Sequence, residues 1–207
     1  MSGLFVVFEG GDGAGKSTQV RYLASWLAER DVAHVVTHEP GDTWLGAQVR
    51  RLVLSTDSGP ISSRAEVLLY AADKAQHVDE LVVPALAAGK VVISDRYVDS
   101  TLAYQGAGRQ VHVDEVEQVA RWATRDLRPH LTVLLDVDPA VAVSTKADPD
   151  RLESAGDQFH ARARQLFLDL AAADPQRYLV LPARDPREVI AAAVQQRVGE
   201  LLGLQTS

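Results

Sequence analysis

The stretch Glu9-Gly10-Gly11-Asp12-Gly13-Ala14-Gly15-Lys16-Ser17-Thr18 decides how the rest of this chain is read. From Gly10 to Ser17 it satisfies G-x-x-x-x-G-K-[ST], the spacing of a loop that wraps phosphates. The apolar run Leu4-Phe5-Val6-Val7-Phe8 precedes it, and Val20, Leu23, Leu27 and Ala28 recur on one helical face behind it. Strand, glycine-rich turn and helix in that order are what a triphosphate needs. Glycines allow backbone shapes that a side chain forbids, so successive N–H groups turn into one concavity. The helix N-terminus adds partial positive charge. In such a loop Lys16 reaches the β- and γ-phosphates and the Ser17 hydroxyl ligates Mg²⁺. The candidate nucleotide-binding set is therefore Gly10, Gly11, Asp12, Gly13, Ala14, Gly15, Lys16, Ser17 and Thr18.

A chain of 207 residues suits one domain with a proper core. Its net charge of −7 argues against a nucleic-acid polymer as partner, since that wants a basic face. The same charge repels an anionic substrate, so basic residues must be concentrated where one binds. With no cysteine in the sequence, disulfides, thiol catalysis and thiolate metal sites are excluded. No apolar run approaches the ~20 residues of a membrane span, and the N-terminal apolar run leads into the phosphate loop rather than a cleavage site. The expectation is a cytoplasmic protein without a membrane partner.

Outward from the loop, strand-like runs fall at 4–9, 33–37, 91–95, 131–136 and 178–181. Helical patterns fall at 16–30, 43–54, 62–88, 112–125, 139–145, 155–173 and 186–202. Continuous apolar strands alternating with helices predict an α/β fold, a five-stranded parallel sheet covered on both faces. Ligands in such sheets bind beyond the carboxyl ends of the strands, which selects the segments after Glu9, Thr37 and Asp95.

Those segments hold polar constellations. After the second strand comes Thr37-His38-Glu39-Pro40-Gly41-Asp42-Thr43, where Pro-Gly turns the chain and Thr43 caps a helix carrying Arg50 and Arg51. In Leu68-Leu69-Tyr70-Ala71-Ala72-Asp73-Lys74-Ala75-Gln76-His77, Tyr70 and Lys74 share a helix face. A ring beside a donor stacks a flat base and bonds its edge; His77 reads as structural. Asp95 ends an apolar strand, where a phosphate-loop enzyme keeps the acid that organises Mg²⁺. Arg96 beside it has the planar fork that clamps a phosphate. Last, Lys146-Ala147-Asp148-Pro149-Asp150-Arg151-Leu152-Glu153 is a polar excursion of the kind that closes over a triphosphate.

Taken together and in this order, these stretches resemble the bacterial-type thymidylate (dTMP) kinases over nearly the whole chain. The parts that carry the resemblance are the phosphate loop, Glu39-Pro40-Gly41, the segment 68–73, Asp95-Arg96-Tyr97 with Asp99-Ser100-Thr101-Leu102-Ala103-Tyr104-Gln105-Gly106, and Asp150-Arg151-Leu152-Glu153. The resemblance implies a single P-loop nucleoside monophosphate kinase domain over 1–207, with a lid at approximately 143–154. It implies transfer of the γ-phosphoryl of ATP to dTMP, with Mg²⁺ bound by Ser17 and Asp95, in a homodimer. It also implies roles. Asp12 holds the sugar 3′-hydroxyl; Arg96 and Arg50 hold the acceptor phosphate. Tyr70 stacks on thymine, Lys74 donates to its O4, Gln105 reads the base edge and Thr101 crowds the 2′ position. Glu39, Pro40 and Tyr104 complete the substrate set. Lys16, Asp95, Arg96 and Arg151 form the catalytic set.

The departures from the family pattern are specific. His38 stands where relatives commonly have Arg, Asp42 where they have Gly, and Lys74 replaces a planar fork by a point charge. Position 13 is Gly, so the lid must supply a transition-state cation, and Lys146 and Arg151 are its only bases. Reduced or altered activity compared with an arginine-rich lid is the expectation. Two alternatives stand beside the first reading: a deoxynucleoside monophosphate kinase with shifted base preference, and a homologue that binds ATP without turnover. A GTPase switch lacks its N-K-x-D motif here.

Overall fold

The computed structural model describes residues 3–139, 151–152 and 155–204. Five strands form one sheet: β1 (Leu4–Gly10), β2 (His34–His38), β3 (Val91–Asp95), β4 (Leu131–Asp136) and β5 (Tyr178–Pro182). All pairings are parallel and the spatial order is β2-β3-β1-β4-β5. The chain passes from β1 outward to β2, returns to β3, and crosses to the other side at β4. The change of direction falls beside β1, whose carboxyl end carries the phosphate loop.

Alternation along β1 explains why it reads as continuously apolar. Val6 and Phe8 face α1 (Lys16–Ala28) and α8 (Arg187–Leu202), packing with Leu23, Leu27, Ile190, Val194 and Val198. Phe5 and Val7 face the opposite layer, with Val78, Val82, Val92 and Tyr97. Both sets are removed from water, each large side chain contributing roughly 1.5–3 kcal/mol. A third cluster joins α2 (Trp44–Leu54), α3 (Ser63–His77) and α7 (Asp157–Ala173) through Val49, Val53, Tyr70, Tyr104, Leu152 and Phe159. Two helix starts follow their caps: Thr43 and Ser62 each accept a backbone N–H with their hydroxyl.

The expected helix at 62–88 is divided. After α3 the chain widens into a π-helical turn at Val78–Val82 before α4 (Val83–Ala87). Pro84 has no N–H to give back to the preceding turn, so the ladder shifts there. A helix that sequence periodicity does not show follows β3: α5 (Val98–Thr101) runs into a second π-helical segment at Leu102–Gly108, then α6 (Val113–Thr124). Gly106 and Gly108 mask its helical character, yet both are buried and closely packed. β2 is displaced by one residue from the expected span. All but Pro139 of the helical pattern at 139–145, and most of the stretch 143–154, lie outside the described residues.

Candidate active site

The phosphate loop leaves β1 on residues that only glycine fills comfortably. Gly10 and Gly15 adopt positive φ, and a Cβ on Gly10 would strike the carbonyl of Leu135 on β4. Gly15 then starts α1. Lys16 folds back across the loop, its Nζ donating to the carbonyls of Gly10 and Gly11, each at 2.9 Å. Burial, with Arg96 nearby, brings its pKa down to about 8. The Ser17 hydroxyl donates to Asp95 Oδ2 at 2.7 Å, joining the first turn of α1 to the end of β3. Parallel pairing sets this meeting, because Asp95 lies opposite Phe8 in the sheet register. A hydroxyl and a carboxylate are hard oxygen donors suited to Mg²⁺. Among the described residues no group of three acidic, His or Cys side chains could hold a metal, so the remaining ligands would be phosphate oxygens and water.

Arg96 occupies the centre. Its backbone has φ +75°, and its N–H donates to the carbonyl of Phe8 on β1. The guanidinium donates to Asp12 at 2.6 Å, to Ser100 Oγ at 2.9 Å and to the Gly10 carbonyl at 3.2 Å, and it lies 5.1 Å from the Tyr104 ring. Burial opposes ionisation of Asp12, but the charges of Arg96 and Lys16, with the Arg96 hydrogen bond, together outweigh it and lower the Asp12 pKa.

Beneath Arg96 sits a carboxylate that the sequence reading passed over. Glu9 is wholly buried and accepts the N–H groups of Tyr97 (2.8 Å) and Ser100 (3.1 Å) and the Ser100 hydroxyl (2.5 Å). It thus caps the start of α5 from below and fixes the backbone that carries Arg96. Burial, reinforced by Asp99, raises its pKa to about 7. The rule that singled out Asp95, an acid closing an apolar strand, applies equally to Glu9.

A cavity beside the loop is lined by Asp12, Glu39, Pro40, Arg50, Tyr70, Lys74, Arg96, Thr101, Tyr104 and Gln105, so every residue expected to contact substrate converges on it. Leu54, Tyr97, Ser100 and Leu152 line it too. Arg50 is aimed by a bond to the Pro40 carbonyl at 2.8 Å. Lys74, Glu39 and Gln105 are engaged by other side chains. Lys74 Nζ lies 2.6 Å from Glu39 Oε2, and Glu39 Oε1 is 2.6 Å from His77 Nδ1, whose other nitrogen meets Thr37 Oγ1 at 2.7 Å. Burial opposes ionisation of Glu39, yet Lys74 and the His77 bond hold its pKa below the ordinary value. Gln105 gives its amide to the buried Glu66 at 3.0 Å. By contrast, Thr101 lines the cavity and its hydroxyl is buried with no hydrogen-bond partner.

The guanidinium of Arg151, expected in the catalytic set, is bonded to Glu66 and to the Val53 carbonyl, and its neighbour Leu152 lines the cavity. Lys146 lies outside the described residues.

Comparison with known proteins adds an independent line. A family model described as thymidylate kinase matches residues 8–194. The chain is 65% identical over 202 residues to a thymidylate kinase of Cutibacterium acnes, covering 98% of this chain and 99% of that protein. It is 49% identical over 211 residues to one from Clavibacter michiganensis subsp. michiganensis, covering all of both chains. Among solved structures, a crystal structure of thymidylate kinase from Ehrlichia chaffeensis superposes with a TM-score of 0.80 at 29% identity, covering 96% of this chain and all of that one.

Proposed function

This chain belongs to the thymidylate kinase family and catalyses ATP-dependent phosphorylation of dTMP to dTDP, and we propose that the cavity beside Arg96 takes dTMP while the phosphate loop takes ATP. One observation carries the assignment of the two sites. Arg96 bonds a carbonyl of the phosphate loop and at the same time lines the acceptor cavity, so donor and acceptor phosphates meet at a single guanidinium.

The residues act mainly by position and charge, because phosphoryl transfer asks little covalent chemistry of a protein. Arg96 and Arg50 hold the 5′-phosphate of dTMP, and Asp12, displaced from Arg96, accepts from the sugar 3′-hydroxyl. A phosphate oxygen then attacks the γ-phosphorus in line, and the bond to the ADP oxygen breaks. Lys16 exchanges its loop carbonyls for the β- and γ-phosphates and stabilises the charge that moves to ADP. Ser17 and Asp95 would hold Mg²⁺, which when bound neutralises the phosphate oxygens. Tyr70 stacks on the base. Lys74, fixed by Glu39, keeps further N–H bonds for a keto oxygen. The orphaned Thr101 hydroxyl is better placed than Gln105 to meet the nucleoside.

On the same reading, residues 1–207 form one kinase domain that works in the cytoplasm. No helix among the described residues is long and apolar enough to cross a membrane. A homodimer is supported by the apolar face of α3 and α6, where Leu68 is 60% and Trp122 83% exposed around a groove floored by Ala71, Ala72, Ala75 and Val119. Intact Lys16, Ser17, Asp95 and Arg96 weigh against an ATP-binding homologue without turnover.

The test is ADP release with ATP and Mg²⁺ against dTMP, dUMP, dCMP, dGMP and the ribonucleotide of thymine. Preference for dTMP is expected. Equal turnover of another monophosphate would refute the proposed base contacts.

A further inference from the structure

Glu66 is buried in the first turn of α3, outside the phosphate loop, yet three side chains from two parts of the chain converge on it. Gln105 Nε2 and Arg109 Nε approach Oε1 at 3.0 and 3.3 Å, and the Arg151 guanidinium is bonded to Oε2. A carboxylate so enclosed is stable only while its cations stay. Arg151 is further tied to the end of α2: its backbone N–H meets the Leu54 carbonyl at 3.3 Å and its Nε the Val53 carbonyl at 3.1 Å. Next along the chain, Leu152 packs in the cluster of Tyr70 and Tyr104 and lines the acceptor cavity.

We propose that Glu66 is a positioning residue for the acceptor nucleotide, clasping Arg151 so that Leu152 closes the nucleoside end of the cavity while its other oxygen orients Gln105 there. The inference rests on the assignment of that cavity to dTMP. It removes Arg151 from the reaction centre: two edges of its guanidinium are committed to the acceptor side. The clasp therefore acts on dTMP binding, and through the shared carboxylate it links the 151–152 stretch to the wall of the base pocket.

Steady-state kinetics of the full chain separate this role from that of a transition-state cation. Arg151→Ala is expected to raise KM for dTMP about tenfold while kcat at saturating dTMP and KM for ATP stay within about threefold, the pattern of lost uniform binding. Titration of dTMP by calorimetry without ATP should show the same weakening. In a Glu66→Gln background, Arg151→Ala should add little, because the two groups act as one unit. Leu152→Ala, which leaves the ion pairs intact, should also raise KM for dTMP, and it serves if Glu66→Gln does not fold. A collapse of kcat with KM for dTMP unchanged would overturn the proposal, as would additive effects or unaltered kinetics in Arg151→Ala. If the wild-type chain itself gave no dTMP-dependent ADP, the cavity assignment would fail instead, and the two failures are distinct.

Discussion

Lys74 Nζ stands 2.6 Å from Glu39 Oε2, and each side chain is no more than 2% exposed. Lys74, a candidate for the base edge, is thus also half of a buried ion pair. Removing one partner strands the other charge in the interior. Lys74→Met should therefore cost about 3–5 kcal/mol, measured as a shift of the urea midpoint. Adding Glu39→Gln should recover much of that loss, since His77 and a neutral amide still satisfy one another. If the double variant is as unstable as the sum of the singles, the pair is not coupled.

Acid–base linkage gives the ligand-free protein an unusual stability profile. Glu9 and Asp73 bind a proton at about 7 when folded, against 4.5 and 3.8 otherwise, both mainly through burial. Burial opposes protonation of His77, but its bond to Glu39 together with the charges of Glu39 and Asp73 raises its pKa overall. For all three the folded chain holds protons that the unfolded chain releases. Their contribution is complete below the unfolded values and is lost as pH rises through the folded ones. Asp12 and Glu39, whose values are lowered, set the acid limit in the opposite sense. The melting temperature should accordingly fall between about pH 4.5 and 7. Lys16, at about 8 when folded against 10.5, reverses the trend above that range. Glu9→Gln with Asp73→Asn should flatten the fall; a rising profile in the parent would contradict the account.

The sheet was legible because its strands are buried on both faces and therefore spell continuous apolar runs, as Phe5, Val6, Val7 and Phe8 do. Site positions were legible where backbone chemistry demands a residue type, as at Gly10 and Gly15. What the sequence hid were the buried carboxylates. Glu9, Glu66 and Asp73 look like ordinary acids in a linear reading, and only packing shows that each is enclosed and bonded. The helix after β3 was hidden because its wide turns break the 3.6-residue period.

The exposed pair on α3 and α6 predicts assembly. Leu68 and Trp122 stand exposed on either side of one apolar groove, the kind of contiguous patch that marks an interaction surface. Leu68→Glu with Trp122→Glu should convert a dimer to monomers by sedimentation velocity. Neither residue lines the cavity, so dTMP should still bind the separated chains. A parent chain that sediments as a monomer at micromolar concentration would remove the proposal.

Thr101 makes the most economical test of substrate contact. The residue lines the cavity, and its hydroxyl is buried with no hydrogen-bond partner. An unsatisfied buried hydroxyl costs stability, so Thr101→Val should melt at the same temperature or higher. If the hydroxyl bonds the nucleoside on binding, the same variant should weaken dTMP by about fivefold, the worth of roughly one net hydrogen bond. Valine has nearly the volume of threonine. The sequence expectation that Thr101 only crowds the 2′ position therefore predicts an unchanged KM for dTMP and an unchanged preference over the ribonucleotide. Melting curves and the two KM values decide between them: a variant more stable but weaker in dTMP binding identifies a hydroxyl left free for the substrate, and unaltered KM values return Thr101 to a purely steric role.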